Sequence, residues 1–266
     1  MIPSPLSQLR ILTSEAVRDS ARRRIVAGMV VLSLLSLFVV DSCTSCASGP
    51  VTVNGREVEA SGLLGFTSIV LFGMIALWTV ALAGVLAADH LTQTLDDGSA
   101  RLVLARPVGR GVFALARLAG SLVISLGTGA VLLGMSAFFL NARHDYGLLP
   151  AAWGAGVAAL GALTIASLAM VASFWLPRLL TFLAVFGVVA AVAFTNWTAL
   201  AGAELSTFWA AVDQFGPPIG TGLALAASLW TGQELDAEPL HVCIRLVLWA
   251  VFSPALLAVL FSRREI

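Results

Sequence analysis

The chain has 266 residues, of which 59% are hydrophobic and 11% charged, and its mean hydropathy is +0.95. Soluble domains carry about 25% charged residues, so these cannot cover a globular surface, and an ordinary cytosolic enzyme is excluded. Fifteen basic and 15 acidic residues cancel, which leaves no basic excess for nucleic-acid phosphates. Every basic residue is Arg; without Lys there is neither a Schiff-base amine nor a G-x-x-x-x-G-K-[ST] P-loop, so ATP cannot be bound through a P-loop of this chain.

The first element, 4–24, is amphipathic. Leu6, Leu9, Leu12, Ala16 and Val17 share one helical face, with Arg10, Glu15, Arg18 and Arg22 elsewhere, and Ser4-Pro5 suits a helix start. It reads as an interfacial helix at the inner membrane surface, running into the first span; the simpler alternative is a solvated basic tail. A cleaved signal peptide is disfavoured because 24 residues precede the apolar run. A lipobox ending at Cys43 is disfavoured by Asp41 close to it.

Six apolar stretches follow, at 25–40, 63–88, 118–140, 149–176, 179–195 and 240–261. The fourth and fifth are separated only by Pro177 and Arg178, which must form a tight turn. The expected fold is therefore an all-α polytopic membrane protein: one domain with six transmembrane helices after an N-terminal interfacial helix. Six spans put both termini on one side. That side holds 12 of the 15 Arg residues, with only Arg56, Arg143 and Arg245 opposite, so both termini are expected in the cytoplasm. Nine of the 15 acidic residues fall outside.

The outer loop 41–62 contains Cys43-Thr44-Ser45-Cys46 and then Asn54-Gly55 between short β-prone runs, a hairpin signal. The cysteine pair reads first as a structural disulfide; incidental thiols and a redox or soft-metal site are the alternatives. A thiol relay would need a second pair, and only Cys243 remains. The outer segment 196–239 holds two semi-apolar stretches split by Pro217-Pro218, with Trp197, Trp209 and Trp230 as interface anchors; these read as interfacial or re-entrant helices.

Ionisable residues are absent from the span centres, which argues against coupling through a buried carboxylate; Arg117 and Arg245 sit near span ends, where they can snorkel. Interior polarity comes from hydroxyls such as Thr79, Ser121, Ser125, Thr164 and Ser167, which can bond across helices. Gly120, Gly127 and Gly134 recur every seven residues and share a face suited to close helix packing, within the subunit or across a dimer. No enzyme constellation emerges. Ser136 lacks a G-x-S-x-G elbow and His144 lies in an outer loop. His90, His144 and His241 make no helical metal-ligand pair, and His90 reads as an interfacial polar residue.

The inner loop 89–110 is the richest cytoplasmic segment, expected to hold a short helix or two between Gly98 and Pro107. Its stretch Asp97-Gly98-Ser99 through Leu104-Ala105-Arg106-Pro107-Val108-Gly109-Arg110 resembles the loop after the second span of ABC type-2 permeases, which often reads E-x-x-x-G-T-x-x-x-L-L-A-R-P-V-S-R. Arg117 stands where that family usually has Lys, and the Cys-x-x-Cys loop is no part of its pattern. The motif covers about twenty residues, whereas span number, N-terminal helix and length agree along nearly the whole chain. Within the family the likeness is to permeases of multi-copper enzyme maturation and gliding-type exporters. The resemblance implies a non-enzymatic permease subunit of a bacterial inner-membrane transporter, working as a homodimer. A separate ATP-binding subunit would supply ATP and magnesium, this chain holding no cofactor or metal. It also implies that loop 89–110 couples to that subunit, with Asp96, Asp97, Arg101, Arg106 and Arg110 as contact residues; for the Arg side chains the alternative is lipid-headgroup anchoring. A membrane thiol-redox or metal-handling protein using Cys43 and Cys46, or a non-transporting scaffold of an envelope complex, are the competing functions.

Overall fold

The computed structural model describes residues 5–21, 27, 31, 34, 35, 38, 51–53, 56–58, 60–96, 109–144, 147–200, 206–232, 235 and 237–263. Its elements are α1 (Pro5–Ala21), β1 (Val51–Val53), β2 (Arg56–Val58), α2 (Ala60–Asp96), α3 (Arg110–His144), α4 (Leu149–Ala172), α5 (Arg178–Leu200), α6 (Thr207–Phe215), α7 (Ile219–Thr231) and α8 (Pro239–Arg263). The strands pair antiparallel with Val53 opposite Arg56, the hairpin expected around Asn54-Gly55, which themselves lie outside the described residues.

Among the described residues five helices are long and apolar enough to cross a membrane: the apolar stretches of α2 and α3 (Ile69–Thr94, Arg110–Phe139), α4, the bulk of α5 (Arg178–Ala199), and α8. Most of the expected first span, 25–40, lies outside the described residues. Its described members Ala27, Val31, Leu34, Leu35 and Phe38 are helical and exposed. The turn expected between the fourth and fifth spans is present, with α4 ending at Ala172 and α5 starting at Arg178. Pro177 cannot continue a helix, and its carbonyl accepts the Thr181 amide to open α5.

α2 is the central helix. It packs against α3, α4 and α5, and 67% of its most apolar window is buried, against 28% for α8. Nearly every residue from Thr79 to Thr92 is enclosed. At 37 residues α2 is about 55 Å long, well beyond a hydrocarbon core of about 30 Å, so it projects past the apolar layer. Helix approach depends on small residues. A methyl group at Gly129 would sit 2.4 Å from Thr79 Cγ2, so α2 and α3 touch backbone to side chain there.

One expectation is corrected. The hydroxyls do not bridge helices: Thr79, Ser121, Ser125, Thr164 and Ser167 each donate to a carbonyl three or four residues earlier on their own helix. In an apolar interior that carbonyl is the nearest acceptor and needs no partner helix. Within the subunit, one of the three stripe glycines makes a close helix contact. Gly120 packs on α1, where a methyl group would lie 2.4 Å from Ala16 Cβ, whereas Gly127 and Gly134 face open space. The amphipathic N-terminal segment is thus a helix that docks on the bundle: Leu12 and Ala16 are buried, and α1 lies mainly along α3.

Candidate functional site

One end of the bundle gathers α1, the end of α2, the start of α3, the end of α4, the start of α5 and the end of α8. The stacked rings of Phe113 and Phe261, 6.0 Å apart, and the tilted pair Phe174 and Phe261, 5.9 Å apart, tie α3, the end of α4 and α8 together there. The N-terminal helix and the last residues of α8 therefore share this end.

Here α2 does not stop where its apolar run stops. Residues 89–96, expected in a loop, continue the helix as its last two turns. Nothing between Ala88 and Asp96 is Gly or Pro, so no residue ends the helix. Thr92 and Thr94 fold their hydroxyls back onto carbonyls one turn earlier, which hides their polarity. The consequence is a pair of adjacent ionisable residues inside the bundle, Asp89 1% and His90 0% exposed. His90 is therefore not the interfacial residue expected of it. The two point to different neighbours. The Asp89 carboxylate lies 2.5 Å from the Arg178 guanidinium at the first residue of α5, and His90 Nδ1 lies 3.4 Å from Asp19 Oδ2 near the end of α1. Arg178 also lies over the Phe182 ring at 5.6 Å, and Arg117 over Phe113 at 5.3 Å. The Arg178 guanidinium offsets the cost of burying the Asp89 carboxylate and ties the end of α2 to the start of α5.

Two of the residues assigned to the coupling loop flank this cluster. Asp96 is the last residue of α2, and Arg110 is the exposed first residue of α3. Asp97, Arg101 and Arg106 lie outside the described residues, as do Cys43 and Cys46. Cys243 has a free thiol, half-buried on α8. Among the described residues no three His, Cys, Asp or Glu come together as a metal site.

A second polar cluster sits at the other end, around the α6–α7 turn. Ile219 packs on Gly161, Gly222 on Val157 and Ala226 on Gly154, so α7 climbs antiparallel to α4 toward its start. Gly161 is twelve residues inside α4, about 18 Å from Leu149. The turn is set into the bundle, level with the middle of α4. Polar side chains hold it there. Asn196 on α5 donates to the Asp213 carboxylate at 2.5 Å and accepts the Gly220 amide at 3.0 Å. Arg245 on α8 donates to the carbonyls of Asp213 (2.6 Å) and Gly216 (2.8 Å), and Trp249 Nε1 to that of Phe215 (3.0 Å). On the far side of α7, Trp153 Nε1 donates to the Gly222 carbonyl at 3.0 Å, and Phe72 meets Trp230 edge to face at 4.9 Å. Arg245 was expected to snorkel to the headgroups; it instead turns to the open C-terminal carbonyls of α6, a negative helix end that a cation satisfies.

Between these two clusters α5 carries open apolar grooves on two faces. One of about 380 Å³ runs beside its contact with α2, walled by Met74, Trp78, Phe186, Val189, Phe194 and Trp197. Another of about 600 Å³ lies on the side of α6 and α8. Sequence reasoning missed Asp19, Asp89, Arg178, Asn196 and Asp213. Two signals pointed to them: the absence of a helix breaker before Gly98, and an Arg six residues inside the last span. No protein-family model and no curated protein matches this chain.

Proposed function

We propose that this chain is the permease subunit of an ATP-driven ABC transporter of the type-2 family, in the bacterial inner membrane. The reading has six spans, with 25–40 as the first, both termini cytoplasmic, and α1 at the inner interface. The observation that supports it best is the Asp89–Arg178 pair. It joins the end of α2, which leads into the loop carrying the family-like motif, to α5, the helix with apolar free volume on two faces. A displacement of loop 97–108 by a partner would pass through that pair to a helix able to shift.

ATP and magnesium belong to a separate P-loop subunit, since this chain has no Lys and so no P-loop Lys. Asp96, Asp97, Arg101, Arg106 and Arg110 are its contact residues. A second copy of the chain is the remaining partner; the open Gly127 and Gly134, beside exposed Val131 and Met135, offer it a face of small and apolar residues. The groove between α2 and α5 is almost wholly apolar, which suits lipidic or amphipathic cargo better than ions.

The test is whether a P-loop ATPase co-purifies with the chain, followed by ATPase measurement of that complex in a bilayer. Reversal of both Asp96 and Asp97 to Arg is expected to weaken the complex or to uncouple hydrolysis from the chain. Assembly and stimulated hydrolysis indistinguishable from the native complex would refute the coupling assignment.

A further inference from the structure

We propose that Ser253 and Pro254 form a latch in α8 that switches the helix between two bends. Pro254 lies inside the helix. Having no N–H, it leaves the Ala250 carbonyl without its usual donor, and its ring presses on that carbonyl. Ser253 comes directly before it. The Ser253 hydroxyl is fully buried and has no hydrogen-bond partner among the described residues. Other interior hydroxyls behave differently. Those of Thr79, Ser121, Thr164 and Ser167, and that of Ser262 on α8 itself, fold back onto carbonyls three or four residues earlier. Three residues before Ser253 is Ala250. The unbonded donor and the carbonyl deprived of its donor are therefore an i, i−3 pair on one helix.

Rotation about one side-chain bond brings the two together. Ser253 stands about 21 Å along the helix from Pro239 and about 15 Å from Arg263, so neither headgroup region offers a nearer partner. Two arrangements then compete. In the unlatched form, which the structure describes, a buried hydroxyl goes unsatisfied. In the latched form it bonds the Ala250 carbonyl, and a hydroxyl folded back in this way bends its helix. The partners of α8 lie on both sides of the latch. Before it, Arg245 and Trp249 hold the end of α6; beyond it, Phe261 packs on Phe113 and Phe174. A change of bend at Pro254 turns the first half of α8, and the end of α6 bonded to it, against a second half fixed at the other end of the bundle. The first half packs through one row, Val242, Leu246 and Ala250, and exposes Val247, Leu248 and Val251, so it can roll on that row. A change of about 10°, half of a sharp kink, moves Leu240 by about 4 Å. Neither ATP nor a partner subunit enters into this, because the latch lies within one helix.

The test uses the full chain in vesicles of phosphatidylethanolamine and phosphatidylglycerol, with spin labels attached through a ketone-bearing amino acid, which spares the native cysteines. One labelled pair, Leu149 and Leu240, joins the starts of α4 and α8; the other, Leu179 and Val259, joins the start of α5 to the second half of α8, and all four positions are exposed. An excess of unlabelled chain removes distances between copies. Pulsed electron-resonance measurement is expected to give two distances about 4 Å apart for the first pair and one distance for the second. Ser253→Ala takes one neutral hydrogen bond from the latched form and should lower the latched-to-unlatched ratio by about 2- to 12-fold. Ser253→Thr keeps the hydroxyl and should restore the ratio. Pro254→Ala returns an N–H to the Ala250 carbonyl and should leave a single distance. A single distance for the first pair in the native chain, a ratio unchanged by Ser253→Ala, or two distances persisting in Pro254→Ala would each overturn the proposal.

Discussion

Replacing Arg245 by Met should release the α6–α7 turn while leaving the helix bundle intact. Met keeps the unbranched stem of Arg245 but removes the nitrogen that donates to both the Asp213 and Gly216 carbonyls. Charge-assisted bonds contribute about 1.5–3 kcal/mol each. The two share one guanidinium nitrogen and the site is only half-buried, so their sum is discounted to about 2–4 kcal/mol. A stabilisation of that size, lost from a local opening, accelerates amide exchange about 30- to 1000-fold. The amides to follow are Gly220, which donates to Asn196, and Gly222, which donates to the Pro218 carbonyl. Amides of α4, such as that of Val157, should keep their protection. Arg245→Lys retains the charge without the planar fork and should fall between native and Met. Asn196→Ala separates the contributions: it should expose Gly220, whose acceptor it removes, more than Gly222. If Gly220 and Gly222 exchange within about threefold of native in the Met variant, the guanidinium does not hold the turn and the argument from its two bonds is wrong.

Arg178→Ala removes the cation beside the buried Asp89 carboxylate and should cost about 1–3 kcal/mol, the lower end reflecting how far Arg178 reaches into solvent. Adding Asp89→Asn should recover most of that loss in a double-mutant cycle read by detergent or denaturant unfolding, and additive losses would show that the pair does not interact. Gly120→Val forces α1 away from α3 and should lower stability by about 1–3 kcal/mol, whereas Gly127→Val, where a methyl group meets nothing, should change the unfolding midpoint of monomeric protein by no more than about 0.5 kcal/mol. Equal effects at the two glycines would refute the docking of α1 at Ala16. Intact mass before and after alkylation should show Cys43 and Cys46 joined in unreduced protein, with Cys243 alone modified; alkylation of all three thiols would exclude the disulfide.

Hydropathy and turn chemistry carried most of the architecture. The run 149–195 is too apolar and too long for one crossing, and Pro177 divides it, so α4, the turn and α5 followed from length alone. Asn54-Gly55 between Val51–Val53 and Arg56–Val58 marked the β-hairpin for an equally local reason. The spacing of Leu12 and Ala16 gave α1 its apolar face, but nothing in it says that this face packs on α3. That partner shows only in the contact of Ala16 with Gly120, more than a hundred residues away.

The polar clusters were harder to read because a hydropathy boundary is not a helix boundary. Asp89 and His90 were assigned to a loop on charge, yet a helix ends where a residue stops it, and the first such residue is Gly98. Once the helix runs on, its face decides their fate, and that face is set by α1 and α5. Neither is within reach in sequence: Asp19 is 71 residues before His90, and Arg178 is 89 after Asp89. The same holds for Arg245, whose partners at Asp213 and Gly216 lie about thirty residues earlier. An isolated Arg six residues inside a span has only the headgroups to reach; one beside an unsatisfied helix end has a nearer acceptor, and the nearer acceptor wins. In a chain with this little charge, each buried ionic group therefore marks where two helices must meet, and the two clusters do so at opposite ends of α5.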